Sequence, residues 1–210
     1  MNLLVLSGGN HPYEESTPEL ENFLKVAGHA VRITDDAKVL TSNSIKDVDA
    51  IVFNTLRVYE LTLTQDEQTA LEQLVSSGLG FVSLHISSCL PKDWQAYHDL
   101  TGGGWIMGTS THPPYGQFTV DVSNTSHPCA DGISDFVTND ELYTKIGWRP
   151  GNDVFLSANL QGETYPIAWT RSYFKGRVFN TVLGHNGLSF QTPAVQRLVL
   201  NGIRWASSEK

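Results

Sequence analysis

The sequence predicts an α/β fold built on a mostly parallel sheet, with a ligand crevice along one edge. Apolar runs alternate with amphipathic helices in a βαβαβ rhythm over roughly the first eighty-five residues. The first of these runs, residues 3–6, is continuously apolar, as expected of a strand covered on both faces. Three histidines stand just past apolar runs: His11 after 3–6, His85 after 81–84 and His185 after 178–183. In an open α/β sheet, ligands bind outside the carboxyl ends of the strands. Neighbouring parallel strands would therefore bring three imidazoles from distant parts of the chain to one crevice.

The elements follow in order. Residues 3–6 form the first strand, broken by Ser7, Gly8, Gly9 and Asn10, where glycine permits unusual backbone angles or a close ligand approach. Ser16, Thr17, Pro18 and Glu19 signal a helix start, with hydroxyl caps, a first-turn proline and an early acid. That helix runs to about Ala27 and ends at Gly28, before a second strand at residues 30–34. Residues 50–53 are a third strand. Thr64 and Glu67 form a capping box ahead of a helix whose apolar face carries Leu71, Leu74 and Val75, closed by Gly78. Residues 80–84 are the fourth strand.

The second half is less regular. Residues 94–100 read as a helix ended by Gly102, Gly103 and Gly104. Residues 117–122, 154–158, 167–170 and 177–183 read as strands, and 193–206 as an amphipathic helix with Val195, Leu198, Val199 and Ile203 on one face. No repeat, charge block or low-complexity linker divides the chain, so residues 1–210 are assigned to one domain.

Composition narrows the function. Hydrophobic content of 40% and charged content of 17% suit a globular domain. A net charge of −8 without a basic stripe argues against nucleic acid and anionic membranes as partners. Cys89 and Cys129 lie far apart and form no CxxC, as expected of free thiols in a reducing compartment. No leader pattern opens the chain and no stretch reaches membrane-spanning length, which predicts a cytoplasmic protein. Association into a homo-oligomer stays open.

Candidate chemistry centres on the strand ends. His85 precedes Ile86, Ser87, Ser88 and Cys89, at the place where α/β hydrolases put a nucleophile on a sharp turn. The flanking glycines and a central Ser or Cys are missing, and Cys89 falls several residues late, so an idle thiol is expected. His85 itself reads as functional or as a buried structural histidine. Gly184, His185, Asn186 and Gly187 read either as a tight loop presenting imidazole and carboxamide to a pocket or as an ordinary Asn-Gly turn. His112, before two prolines, is held rigidly for function or lies on a plain surface loop. Glu141, beside Asp140 and Tyr143, could orient a histidine, bind a sugar hydroxyl or act as a general base; a solvated loop carboxylate is the alternative. His127, His29 and His98 read as structural.

No HxH, HExxH or CxxC spacing demands a metal. A divalent ion held by His85, His112, Glu141 and His185 is chemically allowed, because imidazole and carboxylate suit zinc and related ions. Trp94, Trp105, Tyr115, Tyr143, Trp148, Tyr165 and Trp169 fall mostly in the irregular half, where aromatic faces suit stacking on a small polar ligand or packing under loops.

A set of short features in order resembles the ThuA-like (trehalose-utilisation) family. They are Gly8-Gly9-x-His11, Gly28-His29-x-Val31, the run from Gly80 to His85, and Trp94 and Tyr97 ahead of Leu100-Thr101-Gly102-Gly103. His112, His127-Pro128, the run from Asp140 to Tyr143 and Pro166-x-x-Trp169 follow. Gly176-Arg177-Val178-Phe179, Gly184-His185 and Gly202-Ile203-x-Trp205-Ala206 complete the series. The resemblance covers nearly the whole chain, and its specificity lies in order and spacing. It implies a flavodoxin-like three-layer α/β/α sandwich related to class I glutamine amidotransferases, without their Cys-His-Glu apparatus.

It also carries over His85, His112, Glu141 and His185 as the polar site. Asn10, His11, Trp94, Tyr143, Trp169 and Asn186 are expected to contact substrate. The implied substrate is a small carbohydrate, a (keto-)sugar or glycoside, handled by His/Glu acid–base chemistry of isomerase, lyase or hydrolase type. A non-catalytic sugar-binding or regulatory module is the alternative. Several titratable groups near neutral pH favour the enzyme.

Overall fold

The computed structural model describes residues 1–207. Its first half runs β1 (Asn2–Gly8), α1 (Tyr13–Val26), β2 (Ala30–Thr34), β3 (Ala50–Thr55), α2 (Gln65–Ser76) and β4 (Gly80–Leu84). Then come α3 (Gln95–Thr101), β5 (Gly103–Gly104), β6 (Gly116–Val122), β7 (Phe136–Asp140), β8 (Gly147–Trp148), β9 (Asp153–Leu160), β10 (Glu163–Tyr173) and β11 (Gly176–Thr181). The chain closes with α4 (Gly187–Gln191) and α5 (Pro193–Ser207).

Nine strands form one sheet in the order β2-β1-β3-β4-β11-β10-β9-β6-β7, and β5 pairs with β8 apart from it. From β2 to β11 every pairing is parallel. Beyond β11 the sheet continues as an antiparallel extension. Because side chains alternate across a strand, β1 divides its apolar run between two cores. Leu3 and Val5 join Leu20, Leu24, Leu198 and Ile203 on one face. Leu4 and Leu6 join Leu71, Val75, Tyr97 and Leu100 on the other. Helices α1, α4 and α5 thus cover one side and α2 and α3 the other, which is the three-layer arrangement.

Two local outcomes refine the sequence expectations. The capping box forms: Glu67 Oε2 accepts from the Thr64 amide at 2.8 Å and Thr64 Oγ1 from the Glu67 amide at 3.4 Å. Thr64→Ala is expected to cost about 1 kcal/mol of stability, measured by urea unfolding. Helix α1 begins at Tyr13, earlier than Ser16, and encloses Pro18. The Ser16 and Thr17 hydroxyls do not cap it. They accept from Asn54 Nδ2 at 3.3 and 3.2 Å, and Thr17 Oγ1 lies 2.6 Å from Ser7 Oγ, tying α1 to the ends of β1 and β3. No helix among the described residues is long and apolar enough to cross a membrane.

Candidate active site

The parallel order places the carboxyl ends of β1, β4 and β11 on one edge, and β7 delivers a fourth group to it. His11 sits in the loop after β1, His85 directly after β4, His185 after β11, and Glu141 one residue beyond β7. His85 has φ +52°, a left-handed conformation that a non-glycine residue adopts at a cost and that gathers at functional sites. A sharp turn is therefore present without the glycines that usually announce one, and an imidazole stands at its tip. The segment that follows packs closely on β5, where a Cβ on Gly104 would clash with Ser88 O at 1.8 Å.

Hydrogen bonds assign the tautomers. His85 Nδ1 lies 2.8 Å from Val182 O and His11 Nδ1 lies 2.9 Å from Asn10 O. A carbonyl only accepts, so each Nδ1 carries the proton and each Nε2 presents a lone pair. Those two lone pairs face each other at 3.1 Å. His185 Nδ1 is 3.2 Å from the same His85 Nε2, and the Tyr143 hydroxyl oxygen lies 2.8 Å from it. Glu141 Oε2 is 3.4 Å from both His85 Nε2 and His185 Nδ1. Bare lone pairs at that separation repel unless a proton or a cation lies between them.

The ligand atoms of His11, His85, Glu141 and His185 all lie within 4.8 Å of one another. Donors at about 2.0–2.1 Å from a tetrahedral zinc stand about 3.3 Å apart, close to the 3.1–3.4 Å contacts around His85. Ligating histidines commonly donate their second N–H to a carbonyl or carboxylate, as His11 and His85 do here. The four residues fit a zinc-like ion. The set differs from the sequence expectation: His11 takes the place of His112, whose Nε2 instead lies 3.5 Å from the outer oxygen, Glu141 Oε1. The β1 loop brings the His11 imidazole against His85, while His112 reaches only Glu141 of the four.

Asp140, which composition gave no reason to single out, braces this group. Its Oδ1 accepts from the Glu141 amide at 2.8 Å; its Oδ2 accepts from the Gly184 amide at 2.8 Å and from Ser189 Oγ. One buried carboxylate thus joins the end of β7, the β11–α4 loop and α4. Among the described residues, the ion pairs of Asp140 and Glu141 are with histidines alone. Two buried carboxylates without Lys or Arg suit a site that receives a cation.

Electrostatics divides the groups. Burial, with His85 second, pushes His11 down to about 4 from the ordinary 6.5. Burial also pulls His185 down, but the hydrogen bond and charge of Glu141 outweigh it and leave the pKa raised. Burial pushes Glu141 up, yet hydrogen bonds and charges from His185 and His85 hold it well below the usual carboxylate range. Burial keeps the Tyr143 phenol protonated. A bound metal needs neutral imidazoles, so the raised pKa of His185 makes it the ring that releases a proton as zinc binds, while the lowered pKa of His11 spares it. Zinc affinity should fall as the pH drops from 8 to 5. Calorimetry in buffers of different ionisation enthalpy reads the released proton, and a flat affinity across that range would contradict the assignment.

The other expected residues are spread. Tyr143 is in the cluster, and Asn10 is exposed beside His11. Asn186 Oδ1 caps α4 at Ser189 N and accepts from the Tyr115 hydroxyl at 3.1 Å, so its carboxamide oxygen is engaged. Trp94 lies outside the cluster, stacked on Tyr97 at 4.6 Å with its N–H on Glu72. Trp169 is fully buried and donates to Thr101 O at 2.9 Å. The aromatic rings at the site are Trp105, 4.7 Å from Tyr143, and Tyr115, 5.2 Å from His185. Their signal in sequence is placement alone: Trp105 follows the glycine run and Tyr115 the two prolines after His112. His127 is structural, stacked on Phe155 and donating to Thr170 Oγ1 at 2.9 Å.

Cys89 is buried, and burial pushes its thiol up to about 11. A thiol so disposed is a poor nucleophile. Cys89→Ser should leave turnover nearly intact in a steady-state assay.

Comparison with known proteins defines the class. The ThuA model, described as trehalose utilisation, matches residues 2–206. The chain belongs to the ThuA family. A ThuA-like protein from Parabacteroides merdae ATCC 43184 superposes with TM-score 0.83 at 20% identity, covering 99% of this chain and 89% of that one. Another from Bacteroides uniformis ATCC 8492 gives 0.79 at 20% identity, covering 98% and 90%. A GMP synthase component from Thermoplasma acidophilum gives 0.60 at 12% identity, covering 97% and 92%. These likenesses show a shared fold. No curated protein sequence matches the chain.

Proposed function

We propose that this protein is a metal-assisted enzyme acting on a (keto-)sugar or glycoside by His/Glu proton transfer, of isomerase, lyase or hydrolase type and without glutaminase activity. The observation that carries the reading is the four-ligand cluster, with two imidazole lone pairs 3.1 Å apart and, among the described residues, no Lys or Arg pairing with its carboxylate. His11, His85, His185 and Glu141 would hold the ion. When bound, such an ion would supply Lewis-acid activation of a carbonyl or hydroxyl oxygen, taken up as a further donor beside the four protein ligands.

The chain's own residues supply the rest. His112, with its side chain 32% exposed, is the titratable group beside Glu141 that meets solvent, and it is placed to move a proton at the mouth. Tyr143 keeps its proton and serves as a hydrogen-bond donor inside. Trp105 and Tyr115 offer aromatic faces to a sugar ring. The family's description, trehalose utilisation, supports carbohydrate as the substrate class. The imidazole at the β4 turn and the buried Cys89 argue against thiol-dependent glutamine hydrolysis.

Calorimetry against a panel of keto-sugars and glycosides tests this, followed by turnover of the binders with zinc-loaded and chelator-stripped protein. Turnover by the loaded form alone is expected. Binding without turnover on any sugar would make the protein a sugar-binding or regulatory module.

A further inference from the structure

Beside the metal cluster lies a cavity that the proposed chemistry does not use. It measures about 550 Å³ and is lined in part by Gly8, Gly9, Asn10, Asp35, Arg57 and Tyr59. That is within the range of small-molecule pockets, about 300–1,000 Å³. The sheet order β2-β1-β3-β4 reverses direction between β1 and β3, and open α/β sheets bind ligands at such a switch point. The cavity is formed by the loops that leave those two strands. Asn10 lines it, and the Asn10 carbonyl lies 2.9 Å from Nδ1 of His11, a residue of the cluster.

The walls are prearranged. Gly9 has φ +120°, and a Cβ there would lie 2.5 Å from Leu56 O, so only glycine lets the β1 loop close on the β3 loop. The Arg57 guanidinium is pinned: Nε donates to Thr55 Oγ1 at 2.9 Å, and one Nη donates to Ser7 O at 3.2 Å and Asp35 O at 2.6 Å. Its other Nη makes no hydrogen bond among the described residues. Tyr59 has φ +56° and is 74% exposed, a strained backbone with little packing in return. Asp35 and Glu60 set two carboxylates against one guanidinium around this space, which disfavours an anionic ligand.

We infer that this cavity is a second sugar subsite, which holds the non-reacting ring of a neutral glycoside while the reacting ring lies at the metal cluster. The inference rests on the carbohydrate reading above. Arg57, Asn10 and Asp35 offer donors and acceptors to ring hydroxyls, and Tyr59 a face for stacking. Such stacking corresponds to roughly tenfold in affinity.

The test is calorimetry on zinc-loaded protein with trehalose, its half glucose, and trehalose 6-phosphate. Wild type should bind trehalose roughly tenfold tighter than glucose, and no tighter when it is phosphorylated. Tyr59→Ala should bring the trehalose-to-glucose ratio towards one, with zinc affinity and glucose binding unchanged. Arg57→Lys should lower the ratio in the same direction, and Tyr59→Ala, which leaves the Arg57 hydrogen bonds to Thr55, Ser7 and Asp35 in place, separates ligand contact from loop bracing. An unchanged ratio in both variants overturns the subsite, as does tighter binding of the phosphate. If the wild type binds no sugar at all, the carbohydrate reading itself fails and the subsite falls with it.

Discussion

Turnover is expected to fall by at least about 10–100-fold when either His85 or Glu141 is removed, the loss usual for a disturbed metal site, since both would hold the ion. His85 Nε2 and Glu141 Oε2 stand 3.4 Å apart and face the same point, as does His185 Nδ1. Taking out one member disables the unit, so the double variant His85→Ala, Glu141→Gln should be little worse than the more damaging single one. Steady-state kinetics with zinc content measured in parallel checks this. Each single variant should also bind zinc more weakly, because one of the four converging donors is gone. If Cys89→Ser abolishes activity while His85→Ala spares it, a thiol nucleophile does the chemistry and the site is misassigned.

Trp169→Ala carries the largest expected cost to stability. The side chain is fully buried, its N–H is bonded to Thr101 O at 2.9 Å, and its ring meets Trp148 at 5.2 Å. Truncating a buried tryptophan costs about 3–5 kcal/mol. Denaturant unfolding should show that loss, with zinc affinity of the folded fraction unchanged. A variant that unfolds like wild type and binds sugar more weakly would return Trp169 to the substrate site.

The two outcomes mark what is legible in this sequence. His11, His85, His185 and Glu141 meet because three of them end buried strands and the fourth follows β7. Continuous apolar runs announce the parallel strands in advance. The parallel half of the fold is legible for the same reason. The antiparallel extension beyond β11 is harder to read, since β9 and β10 pair through register shifts around Pro166 and Ala168 that no alternation pattern reveals.

Long-range relations explain the other differences. The β4 turn carries its left-handed backbone on His85, with no glycine to announce it, and the close approach of Gly104 to Ser88 O joins segments distant in sequence. Asp140 looks like any loop acid until the Gly184 amide and Ser189 hydroxyl are seen to converge on it. Trp94 and Trp169 carry the same local signal as Trp105 and Tyr115. Only packing separates a ring that fills the core from one that faces the site.

The proposed chemistry requires four donors from distant segments to bind one ion. Crystals of zinc-loaded protein, with anomalous data collected on both sides of the zinc edge, measure this most directly. The predicted result is a single strong peak bounded by His11 Nε2, His85 Nε2, His185 Nδ1 and Glu141 Oε2, at about 2.0–2.1 Å from the ring nitrogens. That peak should be lost in His85→Ala. An empty cluster in zinc-loaded crystals, or a peak that sits elsewhere and survives His85→Ala, would contradict the metal assignment.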